Sequence, residues 1–418
     1  MIKKARKKTG KFLRWSQKYT KTDMIYLAKG GFWLNLGKII NSIASLGLAV
    51  AFANLLPAET YGTFRFIISF VPILSIPTLK GMNQAIVRAV SQGNEGTFYP
   101  ALKTKIRWGA WGAVGTLVLA LYYFYNQNNT LGISFLMMAA FIPFINTLNV
   151  WMQYLNGKRK FKILTQYKNF LKISVVSIII FVLFFSKNIF IILLTHLTAN
   201  LLIETILLLI ILKKYPPNEK KDPASIGYGK HLSLMGILGT VATRIDMILL
   251  FHYLGPTQLA IYTFSLKPIE ELKKPLSSLK ELTMPKLSQR DIGQLKKSLP
   301  PRMIKLFLFL IPVVILYFFI APQFYKFLFP QYTESIIYSQ VFALTIFFFP
   351  GSFMAQTMDA HAKKKQLYIL RTVIPTFKII LFFILLPIYG IWGAIITTLI
   401  TGTIGFFFSL FLFIKTKS

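Results

Sequence analysis

Apolar residues run through this chain in long stretches, and short basic segments separate each stretch from the next. Because an α-helix rises about 1.5 Å per residue, roughly 20 apolar residues can cross the ~30 Å hydrocarbon core of a bilayer. The pattern predicts an all-α polytopic membrane protein with twelve transmembrane helices, of which the eighth is the most highly charged. The predicted spans are 32–56, 63–80, 108–125, 131–155, 170–186, 189–212, 231–254, 257–280, 303–321, 336–356, 367–387 and 390–414.

Composition supports a membrane protein and excludes several kinds of site. Of the 418 residues, 54% are hydrophobic and 15% are charged, whereas about 25% are charged in an ordinary soluble domain. The sequence contains no cysteine, which excludes disulfides, thiolate metal sites and a thiol nucleophile. Its four histidines are scattered without metal-ligand spacing. We therefore expect neither a metal site nor a cofactor.

The net charge of +35 could indicate a nucleic-acid partner, but the positions of the charges argue against one. Lys and Arg cluster between the apolar stretches and form no basic face or aromatic-interleaved patch. Alternate segments carry nearly all of them, and the loops on the other side hold only Lys187 and Lys326. The positive-inside rule then predicts that both termini are cytoplasmic. When residues near the helix ends are counted with the basic segments, five cations remain inside predicted spans: Lys38, Arg65, Arg244, Lys267 and Lys378.

Segment 213–230, KKYPPNEKKDPASIGYGK, has the proline, glycine and charge content of a linker and divides the helices six and six. We predict a basic cytoplasmic tail at 1–31, an N-terminal six-helix bundle at 32–212, this cytoplasmic linker, and a C-terminal six-helix bundle at 231–418. The tail either lies on anionic lipid head groups or acts as a solvated topology signal.

The two halves share a weak sequence repeat. LLPAETYGTFRF at 55–66 is similar to YLGPTQLAIYTF at 253–264, so that Phe66 aligns with Phe264. Because six is an even number, both halves enter the membrane from the same side. Parallel repeats of this kind build transporters whose substrate site lies between two bundles. We therefore predict a central cavity between the bundles.

LLPAETYGTFRF, followed by IPTLKGMNQAIVRAVSQG, resembles the first-loop signature of the Wzx-type oligosaccharide flippases. RIDMILLFHYLGPTQLAIYTFSLKPIEEL and MPKLSQ resemble the seventh and eighth helices of that family, which belongs to the multidrug/oligosaccharidyl-lipid/polysaccharide exporter (MOP) superfamily. The matching motifs cover about 24–92 and 230–290, and Ala260 stands where the family usually has glycine.

The resemblance implies a bacterial inner-membrane flippase. Such a protein moves polyprenyl-diphosphate-linked oligosaccharide, for example an O-antigen unit, to the outer leaflet during cell-surface polysaccharide biosynthesis, by alternating access. The implied partners are this lipid-linked oligosaccharide, membrane lipids and other polysaccharide-assembly membrane proteins.

Three charged residues lie near the middle of predicted spans, where a charge facing lipid costs at least ~2.5 kcal/mol. They are Arg244, Asp246 and Lys378. On a regular helix Arg244 and Asp246 point to nearly opposite sides, so each needs its own partner. That partner is either an ion-pairing residue on another helix or a hydrated cavity and its ligand. Lys38 and Arg65 lie nearer helix ends, where snorkelling to the head groups is the alternative to a cavity role.

Polar residues also repeat at helical spacing on several spans, which indicates either interhelical hydrogen bonds, worth ~0.6 kcal/mol each, or a shared hydrated cavity. The cavity candidates on these stripes are Asn35, Ser42, Asn146, Asn149, Gln153, His196 and Asn200.

A diphosphate leaving water needs charge-assisted hydrogen bonds. For this reason we expect the cavity cations Arg244, Lys378, Lys38, Arg65 and Lys267 to bind the substrate. Asp246 or Glu204 is a candidate either for a structural acid or for a coupling-ion site, because a buried carboxylate can take up H⁺. Na⁺, or the membrane potential acting on bound charge, would serve equally well.

The alternative function is a cation-coupled multidrug exporter of the MATE type. That interpretation predicts an acid-dominated cavity, but the spans hold five bases against the four acids Glu204, Asp246, Glu270 and Glu271. An enzyme is disfavoured, because no loop is long enough for a catalytic domain and no phosphate-cradling glycine-rich loop is present.

Overall fold

The computed structural model describes residues 24–288, 290–361 and 363–416. The predicted tail 1–31 lies mostly outside these ranges, and the side chain of Asn35 is also outside the described residues. Over the described ranges the chain is helical and contains no strand. The helices are α1 Met24–Leu55, α2 Ala58–Leu74, α3 Met82–Ser91, α4 Phe98–Tyr125, α5 Asn129–Phe141, α6 Val150–Gly157, α7 Phe161–Phe185, α8 Ile189–Lys214, α9 Ala224–Met235, α10 Ile237–Ala242, α11 Ile245–Ser288, α12 Ile292–Leu328, α13 Ser335–Ala343, α14 Gly351–Ala360, α15 Lys364–Tyr389 and α16 Ile391–Lys415.

Each predicted span coincides with one helix or with a series of shorter helices. Length and hydropathy alone identify 6 of the described helices as able to cross a membrane, namely α1, α7, α8, α12, α15 and α16. Two bent pairs, α2 with 76–91 and 335–348 with α14, raise this number to 8. The other predicted spans correspond to α4, to α5 with α6, and to the series from α9 through the two parts of α11, which meet at Gly255.

The fourth predicted span is not one continuous helix. Helix α5 ends at Phe141 and α6 begins at Val150. Pro143 lies in the gap and has no N–H to donate to a helical hydrogen bond, and Asn146 adopts a left-handed φ of 59°. The prediction that Asn146 shares a helical face with Asn149 and Gln153 is therefore wrong.

The seventh predicted span is also broken, and Arg244 lies in the break. Helix α10 ends before Thr243, and α11 begins just after Arg244. The hydroxyls of Thr240 and Thr243 donate to the backbone carbonyls of Gly236 and Thr240, at 2.9 and 2.8 Å, and such bonds compete with regular helix. The prediction of one regular helix through Arg244 is therefore wrong.

We describe the helices in the two sets that the sequence predicts, an N-terminal bundle, α1–α8, and a C-terminal bundle, α9–α16. We call the end with the loops around 92–97, 158–160 and 215–223 the basic end, and the other end the short-loop end. In the half of the molecule near the short-loop end, one continuous hydrophobic core includes residues of both bundles, such as Phe66 and Phe264. Near the basic end each bundle has its own core, around Trp151 in one and Met354 in the other. The bundles thus share one hydrophobic core at the short-loop end and have separate hydrophobic cores at the basic end.

The sequence repeat lies where the two bundles meet. The rings of Tyr61 and Phe264 are 4.8 Å apart, and the rings of Phe66 and Phe251 stack at 3.8 Å. Next to them, Asn54 Nδ2 donates to the carbonyl of Leu328 at 3.1 Å. These contacts between α1 or α2 and α11 or α12 close the short-loop end.

At the basic end, α9 packs on α3 of the other bundle. The N–H of Gly81 donates to Ser233 Oγ at 2.9 Å, and a Cβ on Gly229 would lie only 2.6 Å from the sulfur of Met82. The first helix of the C-terminal half is therefore fixed to the N-terminal bundle.

Candidate substrate cavity

A cavity of about 350 Å³ lies between the two bundles near the middle of the molecule. Helix α2 and the turn after α5 form one wall, and the turn before α11 with α11 itself forms the other. Its lining residues are Tyr61, Arg65, Ile68, Ser69, Val71, Pro72, Ile145, Asn146, Arg244, Met247, Thr263, Leu266, Lys267 and Glu270.

Three of the five cations predicted from the sequence converge on this central cavity. Arg65 comes from α2, Arg244 from the turn before α11, and Lys267 from α11. All three side chains line the same cavity, which places the three cations in one electrostatic site. Glu270 is the carboxylate among the lining residues and lies 3.9 Å from Lys267. Three cations against one carboxylate make the cavity cationic.

Two donors at this cavity have no hydrogen-bond partner among the described residues. They are Nε of Arg65 and the hydroxyl of Thr263, both buried. Arg65 Nη2 lies 3.8 Å from the sulfur of Met247, which is a weak acceptor. Buried polar groups are nearly always hydrogen-bonded, so an acceptor-rich ligand or water fits this position.

A smaller cavity of about 170 Å³ adjoins the central one on the N-terminal side. His196, Asn200 and Glu204 of α8 all line it, so the predicted polar stripe on the sixth span lies on one face. Asn200 Nδ2 donates to the carbonyl of His196 at 2.7 Å. Asn146 borders both cavities, and its Nδ2 donates to Ser75 Oγ at 3.0 Å.

A third cavity, of about 560 Å³, follows the breaks in the second and seventh spans. It too is bordered by Asn146, and Arg371 and Pro375 of α15 close its far side. Arg371 donates to Asp359 Oδ1 at 2.7 Å. The three cavities meet at Asn146, which the broken fourth span holds in a left-handed turn.

Lys38 and Gln153 line a separate cavity of about 690 Å³ between α1, α6, α7 and α11. Two other predicted cavity residues lie on the same helices but do not line it. Ser42 is partly buried on α1, and Asn149 precedes α6 with its Oδ1 buried and unpaired among the described residues. On α1 the lining positions are instead Lys38, Asn41 and Ser45.

Asp246 faces the interior of the C-terminal bundle. Its Oδ2 accepts a 2.7 Å hydrogen bond from the Tyr262 hydroxyl, and its Oδ1 accepts one from the N–H of Met247 at 2.8 Å. Its partner is thus a tyrosine, and the geometry favours the structural role for this acid. Lys378 lies over the ring of Phe382 with 5.2 Å between Nζ and the ring centroid, and it does not line any of these four cavities.

Sequence reasoning missed several lining residues for identifiable reasons. Glu270 was counted among the charges of the eighth span without a role. Lys168 and Lys172 stand four residues apart on α7, but they were assigned to the basic loop as a topology signal. Asn41 follows Lys38 by three residues and could have been found from the same helical spacing.

The chain has the fold of known membrane transporters. It is similar to the lipid II flippase MurJ in an inward closed conformation, with a TM-score of 0.67 and 17% identity over 91% of this chain and 87% of that one. It is also similar to a multidrug resistance MATE transporter of the MOP superfamily in an inward-facing conformation, with a TM-score of 0.63 and 14% identity over 90% and 96% of the two chains. A MOP superfamily transporter from Pyrococcus furiosus, described as having a binding pocket of reverse polarity, matches with a TM-score of 0.55 and 15% identity over 93% and 97%.

The long apolar helices, together with the fold that the chain shares with MurJ and the MATE transporters, define a multi-pass membrane protein. The chain belongs to the family of polysaccharide biosynthesis proteins, which it matches over residues 27–269. This confirms the resemblance to the Wzx-type flippases of the MOP superfamily that the first-loop motifs indicated. No curated protein matches the chain.

Proposed function

We propose that this protein moves polyprenyl-diphosphate-linked oligosaccharide from the cytoplasmic to the outer leaflet of a bacterial inner membrane, by alternating access between its two bundles. The observation that carries the proposal is the cationic central cavity, where Arg65, Arg244 and Lys267 converge from both bundles. The family match places the chain in polysaccharide biosynthesis.

The chemistry of the central cavity fits a diphosphate. Guanidinium groups donate forked hydrogen bonds to phosphate oxygens, and such charge-assisted bonds are about twice as strong as neutral ones. The oligosaccharide would occupy the connected polar cavities around Asn146, while the polyprenyl tail stays in the bilayer.

The packing indicates which side is closed. The shared core and the Phe66–Phe251 stack close the short-loop end, whereas the two larger cavities lie in the half near the basic end. With the basic end in the cytoplasm, as the positive-inside rule predicts, both termini are cytoplasmic and this conformation has its outer side sealed. Other polysaccharide-assembly membrane proteins would meet the protein at its surface.

Glu204 is our candidate for the coupling-ion site. It lies beside His196 and Asn200 on a cavity that joins the substrate cavity at Asn146. A carboxylate in this position can bind H⁺ or Na⁺ and alter the field felt by the bound anion. Both carboxylate oxygens of Asp246 already accept hydrogen bonds, so we assign a structural role to this residue.

A cation-coupled multidrug exporter is the second candidate. The observation in its favour is that Glu270 and Glu204 place carboxylates on connected cavities, and the fold is also that of MATE transporters. Three cations beside Glu270 oppose the entry of a cationic drug.

Reconstitution into proteoliposomes tests the proposal. A fluorescent polyprenyl-diphosphate oligosaccharide is placed in the membrane, and a membrane-impermeant lectin or glycosidase reports the fraction of sugar exposed on each side. We expect the protein to equilibrate the labelled lipid across the bilayer while the same lipid without diphosphate stays in place. Transport of a cationic dye with no movement of the lipid-linked sugar would instead establish the exporter.

A further inference from the structure

A second cationic pocket lies away from the central cavity, between the two bundles and nearer the basic end. This is the cavity of about 690 Å³ lined by residues of α1, α6 and α7 on one side and by Lys274 and Ser277 of α11 on the other. We call it the lysine pocket. Its lining residues are Gly37, Lys38, Asn41, Ser45, Met152, Gln153, Asn156, Phe161, Leu164, Thr165, Lys168, Asn169, Lys172, Lys274 and Ser277.

Four ammonium groups face the lysine pocket, and its lining residues include no carboxylate. Lys38 comes from α1, Lys168 and Lys172 come from α7, and Lys274 comes from α11. Lys172 and Lys274 belong to different bundles and line the same pocket. Like charges that share a partly buried space repel each other, so an anion between them is favoured.

The wall on the N-terminal side is firmly built. Asn41 Nδ2 donates to Asn169 Oδ1 and to the carbonyl of Gly37, both at 2.7 Å. Gly37 permits this close packing, since a Cβ there would lie 2.6 Å from Thr165 Cγ2. These contacts lock α1 to α7 and fix the positions from which the lysines of both helices extend.

The wall on the C-terminal side is also held. Glu271, which lies outside the pocket lining, accepts hydrogen bonds from Lys274 and forms an ion pair with Lys267 of the central cavity at 3.6 Å. The same carboxylate therefore links the lysine pocket to the central cationic site. An anion that draws Lys274 towards α7 would weaken the hydrogen bonds that Lys274 donates to Glu271.

We propose that the lysine pocket is a second binding site for a phosphate or diphosphate group, and that the bound group bridges α7 of the N-terminal bundle and α11 of the C-terminal bundle. Tetrahedral phosphate oxygens need several donors at once, and here ammonium groups are combined with the amides of Gln153, Asn156 and Asn169 and with hydroxyls. The proposal takes from the proposed function only the identity of one candidate source, the diphosphate of the cargo. The other source is the head group of an anionic phospholipid.

Binding to the purified full-length chain in neutral detergent tests the proposal without any transport step. Isothermal titration with inorganic pyrophosphate, at constant ionic strength, measures the number of sites and their affinities. We expect two sites in the wild type. The K168Q/K172Q variant should lose binding at the lysine pocket or bind there at least tenfold more weakly. The R65Q/R244Q variant should keep binding at the lysine pocket. K168R/K172R, which keeps the charge, restores it.

K213Q/K214Q is the matched control, because these lysines lie at the end of α8 near the same face of the membrane but outside the pocket. It should bind as the wild type does, and size-exclusion elution should show that all variants are folded.

Competition by phosphatidylglycerol assigns the site to a lipid head group, whereas competition by polyprenyl diphosphate alone assigns it to the cargo. Wild-type pyrophosphate binding by K168Q/K172Q, or loss of all binding in R65Q/R244Q, would overturn the proposal. If the wild type binds pyrophosphate at two sites but does not move the lipid-linked sugar, the proposed function is refuted and the second binding site is not.

Discussion

Gly62 lies so close to Pro256 that a Cβ added at Gly62 would be 1.8 Å from the carbonyl oxygen of Pro256. The two residues belong to different bundles and begin the helical segments that carry the sequence repeat. Van der Waals contact at this distance is impossible for a carbon and an oxygen, so only glycine permits the helices to meet here. Closure of the short-loop end therefore requires a residue without a Cβ at position 62.

Gly62→Ala should hold the short-loop end open. Spin labels at N54C and L328C, positions joined by a hydrogen bond in the closed form, should then be farther apart, and transport should fall by at least tenfold. Gly47→Ala is the matched control, because a Cβ at Gly47 meets nothing within 4 Å, and it should keep the wild-type distance. The idea is refuted if G62A and G47A give the same distance distribution.

Arg244→Gln should reduce transport of the lipid-linked sugar strongly. A hydrogen bond between charged groups is worth ~1.5–3 kcal/mol, or roughly 10- to 100-fold in binding. Lys378→Gln removes the same charge from a cation that lies over Phe382 outside the central cavity, and its effect should be several times smaller. Normal membrane insertion of both variants is the control. Equal transport defects in R244Q and K378Q would show that transport does not depend on the charge in the central cavity.

Glu204→Gln should abolish the dependence of transport on an H⁺ or Na⁺ gradient, because it removes the carboxylate that faces the connected cavities. Transport is measured with and without an imposed gradient of each ion. Asp246→Ala provides the comparison. It leaves the Tyr262 hydroxyl without its acceptor and should lower the free energy of unfolding by ~1–3 kcal/mol while gradient dependence persists. Unchanged gradient dependence in E204Q would exclude Glu204 as the coupling site.

Glu95 should make the stability of the basic end pH-dependent, because its carboxylate joins the loop at 92–97 to Lys158 and Tyr154. Burial alone would raise the pKa of Glu95, but hydrogen bonds from Lys158 and Tyr154 and the charge of Lys158 outweigh it and hold the pKa below its usual range. A carboxylate with a lowered folded-state pKa stabilises the fold above its unfolded pKa of about 4.3, and this contribution is lost as the pH falls through the folded value.

Glu95→Gln should accordingly lower the Tm at pH 7, and the difference from wild type should vanish as the pH falls below about 4. Glu219, an exposed carboxylate on the linker 213–230, provides the control, and E219Q should match the wild type at every pH. A Tm difference for E95Q that stays constant down to pH 3 would show that the ion pair between Glu95 and Lys158 does not stabilise the fold.

The predicted orientation can be checked with reporter fusions. A reporter fused after Phe124, at the short-loop end of α4, should be extracytoplasmic, and one fused after Lys220, in the linker, should be cytoplasmic. Alkaline phosphatase and green fluorescent protein give opposite signals on the two sides. Reversal of either result would place the closed end of the molecule in the cytoplasm.

The sequence by itself determined the helical class, the positions of the spans, the family and the bundle-to-bundle repeat, because each depends on local hydrophobicity or on short motifs. It also identified Arg65, Arg244 and Lys267 as charges too deep in the membrane to be left without a partner. These three converge on one cavity.

Only the tertiary structure decided which polar residues meet. Asp246 and Lys378 resemble Arg244 in depth and charge, yet Asp246 accepts a hydrogen bond from Tyr262 and Lys378 lies over Phe382. The breaks at Asn146 and Arg244 turn side chains away from the faces that a regular helix would give them. Lys168 and Lys172 have the sequence pattern of a topology signal, and only the packing of α11 opposite them forms the lysine pocket. Periodicity along one helix shows which residues share a face, but the packing of other helices determines what that face contacts.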